Sequence, residues 1–220
     1  MSIATLILGD SGGGKSTSLR NLDPQKTLLI QCIDKPLPFQ STHWKVRNKL
    51  NEDGSVIKED NPLKIEYIMK HSSREVFIID DYQHVLVNEL MSRSSEKSYD
   101  KFTDIGKHTW LILNTAGKLA ENRRIYILAH TQTDDFGNIR MKTVGKMVDQ
   151  VIIPESFFTI VLRATVNNGN YLFSTQTNGM DCCKSPMGMF SDTLIENDLK
   201  YVDDTICAYY GINKTKRVNQ

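Results

Sequence analysis

Apolar residues in this chain come in short runs, separated by longer stretches whose apolar positions recur at helical spacing. Residues 3–8 and 27–33 are compact apolar runs, and each reads as a buried strand. Between them, residues 15–22 read as a helix. Residues 62–72 form a second helical segment, with Pro62 suited to a first turn. Residues 76–79 are a third strand and residues 82–91 a further helix. The longest helical signal covers residues 99–121. There Phe102, Ile105, Ile112, Ala116 and Leu119 share a face, and Trp110 and Leu113 widen it, which predicts burial on more than one side. Residues 125–129 form a fourth apolar strand. The pattern then shifts to period two. Residues 157–166 and 171–177 flank Asn167-Asn168-Gly169-Asn170 and read as an antiparallel hairpin. Residues 194–210 close the pattern as a helix, whereas residues 48–61 are polar and turn-rich and read as an exposed loop or hairpin. Strands alternating with helices predict an α/β fold with a mostly parallel sheet flanked by helices, and a C-terminal β-hairpin appended. No linker or repeat divides the chain, so residues 1–220 are expected to form a single domain.

One motif carries explicit chemistry. Gly9-Asp10-Ser11-Gly12-Gly13-Gly14-Lys15-Ser16 fits G-x-x-x-x-G-K-[ST], between a predicted strand and a predicted helix. Glycines let the backbone curl so that successive N–H groups face phosphate oxygens. The following helix adds its positive N-terminal end. Lys15 is placed to reach the outer phosphates and Ser16 to ligate Mg²⁺, while Thr17 continues the set. A second acid is needed for the metal shell. Val76-Phe77-Ile78-Ile79-Asp80-Asp81 supplies it, with Asp80 on the metal side. Two adjacent carboxylates at a strand end are costly without a cation nearby. Asp81 is a candidate to polarise the attacking water, or else a helix cap. Asp34, ending the second strand, is its rival, or else a surface carboxylate before a turn. His130 follows the fourth apolar strand and is either a site residue or simply a satisfied histidine at a strand edge. Lys142 and Lys146, on the glycine-containing segment 139–149, are candidates for a trans-acting finger, a DNA contact or plain surface charge.

Composition narrows the partners. The chain has 220 residues, 27 Lys and Arg against 26 Asp and Glu, and a formal charge of +1. A polybasic binder driven by bulk charge is excluded. Locally, residues 1–50 and 101–150 are net basic while 51–100 are net acidic, so any nucleic-acid contact must come from a patch. No apolar window is long enough to span a bilayer. The N-terminal apolar run is short, lacks a basic lead-in and is followed by glycines rather than a cleavage site, which is not the pattern of a signal peptide. Four cysteines, Cys32, Cys182, Cys183 and Cys207, show neither C-x-x-C nor zinc spacing, and predict reduced thiols in a cytoplasmic setting.

Taken in order, G-D-S-G-G-G-K-S, K-P-L-P-F, F-I-I-D-D-Y, L-A-H-T, V-G-K-M-V-D and K-S-P-M-G-M-F make the chain resemble the bacteriophage-encoded P-loop ATPases of the RecA-like and AAA types. These include the phage single-strand annealing recombinases with a minimal RecA core. The resemblance implies a RecA-like core and ATP hydrolysis, with ATP and Mg²⁺ as ligands. It further implies action on single-stranded DNA, a phage single-strand-binding protein as partner, assembly as a homo-oligomer and residence in the host cytoplasm. Lys15, Ser16 and Asp80 carry over by motif, and His130 and Asp34 by position; a role for His130 in sensing a terminal phosphate is what similarity to RecA-like and AAA ATPases implies. The first core strand begins at about residue 3, so assembly is not expected to use an upstream polymerisation segment; a ring or DNA-templated assembly stays open. DNA-binding loops are expected at residues 91–101 and 131–146, with Tyr99, Phe102 and Phe136 as candidate stacking residues. The alternatives are a replication helicase or helicase loader, and a non-hydrolysing, nucleotide-gated DNA-binding module. A nucleotide kinase is disfavoured, because the sole adjacent arginine pair, Arg123-Arg124, abuts a core strand instead of forming a lid.

Overall fold

The computed structural model describes residues 1–212. In chain order its strands are β1 (Ile3–Gly9), β2 (Thr27–Gln31), β3 (Val56–Lys58), β4 (Val76–Asp80), β5 (Arg124–Thr133), β6 (Ile139–Met141), β7 (Ile160–Asn167), β8 (Asn170–Ser174) and β9 (Leu194–Glu196). The α-helices are α1 (Pro62–His71), α2 (Gln83–Ser92), α3 (Asp100–Ala116) and α4 (Leu199–Tyr210). The strands build one nine-stranded sheet in the order β3-β2-β4-β5-β1-β7-β8-β9, with β6 folded back onto β5. The contacts from β3 through β7 are parallel, and β8 and β9 complete the sheet antiparallel. The strand leading into the phosphate-loop motif and the strand ending in Asp80 are separated by a single strand, β5.

Alternation within the strands sorts the core into two layers. Leu6, Leu8, Leu28, Ile30, Phe77, Ile79, Ile125 and Ile127 face one side and pack on Ile65 and Met69 of α1, Val85 and Leu86 of α2, and Ile105, Ile112 and Leu113 of α3. The intervening Ile7, Leu29, Ile78, Tyr126, Leu128 and Leu162 face the other side, against Leu19 and against Leu199, Val202 and Ile206 of α4. Both faces are covered, which is why these strands are apolar without interruption. A buried ion pair joins the sheet to α4. Arg124 binds Asp203 through Nε at 2.9 Å and Nη2 at 3.2 Å, and the Tyr126 hydroxyl donates to the same carboxylate at 2.8 Å. Arg123 donates to the Ser72 carbonyl at 2.8 Å. The arginine pair therefore holds the fold together.

Several elements differ from the sequence expectation. The segment after the phosphate loop is a six-residue 3₁₀ turn, Ser16–Asn21, not a helix over 15–22. Ser18 turns its hydroxyl onto the Lys15 carbonyl at 2.6 Å, in competition with regular helix, and Pro24 blocks extension. The polar stretch 48–61 contains β3, because the adjacent apolar residues Val56 and Ile57 pair with Leu29 and Ile30. β6 was not expected. It forms because Asp134 accepts from the backbone of Phe136 and Asn138 and closes a tight turn. The segment 194–210 is divided into β9 and α4 by Asp198, whose side chain caps α4 through the Lys200 amide at 2.9 Å. Trp110 is 46 % exposed, so α3 is buried along one stripe only. The expected hairpin is β7–β8, turned by Asn168 and Gly169, both at positive φ. Among the described residues no helix is long and apolar enough to cross a membrane.

Candidate functional site

The phosphate-loop motif leaves the C-terminal end of β1, flanked by β5 and β7. Lys15 is 5 % exposed, and its ammonium donates to the carbonyls of Gly9 at 2.7 Å and Asp10 at 3.0 Å. Burial lowers its pKa, opposed by the carboxylates of Asp81 and Asp80. With the 3₁₀ turn offering little dipole, anion binding at this loop falls to its curled N–H groups and to Lys15 itself. The Thr131 hydroxyl, on β5, hydrogen-bonds the Asp10 carboxylate and ties the loop to the neighbouring strand.

Asp80 ends β4 and is 1 % exposed. The Ser16 hydroxyl donates to its carboxylate at 3.0 and 2.9 Å. Burial raises the Asp80 pKa to about 6, with Asp81 adding to the rise. A buried carboxylate that resists ionisation beside a hydroxyl is a donor set suited to a divalent cation, which would relieve both causes at once. No group of three or more His, Cys, Asp and Glu residues able to hold a metal occurs among the described residues. Joined by those hydrogen bonds, Ser16 and Asp80 are the pair that would hold Mg²⁺, a cation that commonly keeps water and phosphate oxygens as its remaining ligands.

Asp81 adopts a left-handed backbone, φ 57°. Its carboxylate is reached by the Lys35 ammonium and by His130 Nε2 at 3.5 Å. Burial pushes its pKa up, but hydrogen bonds from His130 and Lys35 outweigh this and hold it well below the usual carboxylate range. A carboxylate held so firmly ionised orients a water molecule better than it removes a proton. His130 sits beside Gly9 in the β1–β5 register, and its backbone N–H donates to the Gln83 side chain at 3.3 Å. Asp81 and His130 thus meet at the end of the strands, next to Lys15 and Asp80.

Asp34 is placed differently. Its side chain is 73 % exposed and pairs with Lys58 at 2.5 Å. Its neighbour Lys35 is the residue that turns inward, onto Asp81. Lys142 and Lys146 are exposed and form no ion pair among the described residues. The Lys142 amide donates to the His130 carbonyl at 2.8 Å, so the segment carrying these lysines is anchored directly to the site. Phe136 and Tyr99 are 85 % and 84 % exposed, whereas Phe102 is half-buried near Gly145. The four cysteines are free, and burial raises Cys182 to about 11 and Cys183 higher still, so both are thiols at neutral pH. Lys35, Thr131 and Gln83 were not singled out from the sequence. Their types are common, and only the strand register places them together.

No protein-family model matches this chain, and no curated protein matches it. Among solved structures it is similar to a prototypical ATPase from the type III secretion system of pathogenic bacteria. The two share 14 % identity at a TM-score of 0.42, over 74 % of this chain and 51 % of the other. The chain thus spans about half the length of that protein.

Proposed function

We propose that this protein binds and hydrolyses ATP in a Mg²⁺-dependent manner, and that it couples hydrolysis to single-stranded DNA as a recombination protein of the annealing kind. The observation that carries the ATPase reading is the convergence of five side chains at one strand end. Lys15 faces the loop that would take the phosphates. Ser16 and Asp80 form the pair for Mg²⁺, which when bound would neutralise phosphate charge and orient the outer phosphates. Asp81, held ionised by His130 and Lys35, orients the attacking water. His130 follows the terminal phosphate from β5.

The DNA reading rests on the resemblance of the motif series and on the β5–β6 hairpin. That hairpin presents Phe136, and Lys142 and Lys146 follow it, the Lys142 amide donating to the His130 carbonyl. A stacking aromatic with nearby lysines suits single strands without sequence preference. A single-strand-binding protein and further copies of the chain are the partners this reading entails.

The test is ATP hydrolysis with and without single-stranded DNA, for wild type and Lys15→Ala. Stimulation by DNA and near-complete loss in the variant are expected. Turnover indifferent to DNA overturns the coupling, and binding without turnover turns the reading into a nucleotide-gated module. Annealing of complementary strands separates a recombination protein from a helicase loader.

A further inference from the structure

Asn197, in the loop between β9 and α4, is held in place by its backbone, while its side chain is left without a partner. Its N–H donates to the Tyr171 carbonyl at 3.2 Å, and its own carbonyl accepts from Arg20 at 2.5 Å. Arg20 also reaches Glu196 at 3.2 Å, and Asn21 reaches Asp198 at 2.9 Å. Three consecutive residues, 196 to 198, are thereby fastened to the turn that follows the phosphate loop. Yet Asn197 is 2 % exposed, and neither Oδ1 nor Nδ2 has a hydrogen-bond partner. Leaving both ends of a carboxamide unsatisfied costs about 1–3 kcal/mol for each group.

The carboxamide faces the phosphate loop. A Cβ on Gly14 would lie 3.2 Å from Oδ1, 3.3 Å from Nδ2 and 2.7 Å from Tyr171 Cδ1. Gly14 has φ +93° as well, so both conformation and space demand glycine here. Tyr171 is 48 % exposed: part of it lies on Gly14 and the rest faces solvent.

Strand order fixes the direction of a ligand across this loop. β1 lies between β5 and β7. Asp80, Asp81 and His130 stand on β4 and β5 or directly after them, on one side of β1. Tyr171 and Asn197 stand on β8 and just after β9, on the other. A nucleotide whose terminal phosphate meets the acids therefore extends its sugar and base toward Tyr171 and Asn197.

We infer that Asn197, with Tyr171, recognises the adenine base of the bound nucleotide; this rests on the nucleotide reading above. A carboxamide offers one donor and one acceptor side by side. Adenine offers the matching pair, the N6 amino group and N7, whereas guanine presents two acceptors along the same edge. Tyr171 supplies the aromatic surface for stacking.

The test uses the full chain and three probes with Mg²⁺: ATP, GTP and inorganic tripolyphosphate, by calorimetric titration. Wild type is expected to bind ATP about tenfold or more tightly than GTP, as one bidentate base contact provides. Asn197→Leu, with the same branching but no polar atom, is expected to lose that preference and keep its affinity for tripolyphosphate. Its melting temperature without ligand should equal or exceed that of wild type, because no protein hydrogen bond is lost. Tyr171→Phe should retain ATP affinity and Tyr171→Ala should lose it. Equal binding of ATP and GTP by wild type overturns the inference, as does an Asn197→Leu variant that melts lower with its preference intact. Failure of wild type to bind any of the three probes overturns the nucleotide reading instead.

Discussion

The Ser16 hydroxyl lies across both carboxylate oxygens of Asp80, bridging the phosphate loop to the end of β4. Asp80 titrates near 6 because it is buried and beside Asp81. An acid whose pKa is raised on folding stabilises the folded state below its unfolded pKa, and that contribution is lost as pH climbs through the folded value. Between about pH 4 and pH 6 the free protein should therefore lose on the order of 2–3 kcal/mol from this group. Asp80→Asn should remove this part of the pH slope in thermal melts and abolish Mg²⁺-dependent hydrolysis. A variant that keeps the wild-type slope would assign the pH dependence to other groups.

Lys15 is buried with its ammonium turned onto two carbonyls of its own loop, ready to be re-aimed at phosphate. Charge-assisted hydrogen bonds are each worth about 1.5–3 kcal/mol. Lys15→Ala should weaken nucleotide binding by on the order of a hundredfold or more, read by titration with a fluorescent nucleotide. Wild-type affinity in the variant would remove the loop from the binding site.

Two carboxylates, Asp81 and Asp34, compete for the water-orienting role, and their surroundings separate them. Asp81→Asn keeps a residue that tolerates positive φ and removes only the charge. It should cut turnover by on the order of a hundredfold while leaving ATP binding near wild type. His130→Ala should act in the same direction, because it removes one of the two side chains that hold the Asp81 carboxylate. Asp34→Asn, at an exposed ion pair, should stay within about twofold. Single-turnover kinetics on the three variants decide between the acids, and a larger defect in Asp34→Asn would reverse the assignment.

The Arg124–Asp203 pair is buried and bidentate, with Tyr126 sharing the carboxylate. Removing Asp203 leaves the buried Arg124 with only Glu75, at 3.6 Å, as a carboxylate partner among the described residues. Asp203→Ala should cost about 3–5 kcal/mol in urea unfolding. Nucleotide affinity of the folded protein should be unchanged, since the pair lies at the start of β5 and the site at its end.

For DNA, each phosphate contact contributes close to one unit of salt dependence. Lys142→Ala and Lys146→Ala should each reduce the slope of log affinity against log salt by about one. Phe136→Ala should weaken binding with the slope unchanged. An unaltered slope in both lysine variants would locate the DNA elsewhere.

Much of this architecture could be read from the sequence, and the exceptions have identifiable causes. Uninterrupted apolar runs announced β1, β2, β4 and β5, because strands covered on both faces have no polar side to confuse the pattern. The phosphate loop was legible because its glycines and lysine are constrained by chemistry as well as by packing. Short elements escaped. β3, β6 and β9 have three residues each, too few to establish a period, and exist through their neighbours. The segment 15–22 after the loop reads as a helix, but the Ser18 hydroxyl takes the Lys15 carbonyl and the segment is a 3₁₀ turn. Lys35, Gln83 and Asn197 were invisible for another reason: each gains meaning only from a residue far away in sequence.

The position of β1 at the centre of the sheet has a consequence for synthesis. This strand is synthesised long before its two partners, β5 and β7, which begin at residues 124 and 160. Until more than a hundred further residues have emerged, the largely apolar residues 3–9 have no partner strand to join. Closing such distant pairings is slow, and the waiting strand is exposed to aggregation meanwhile. The rate at which active protein accumulates in a cell should therefore depend on whatever shelters residues 3–9 during translation.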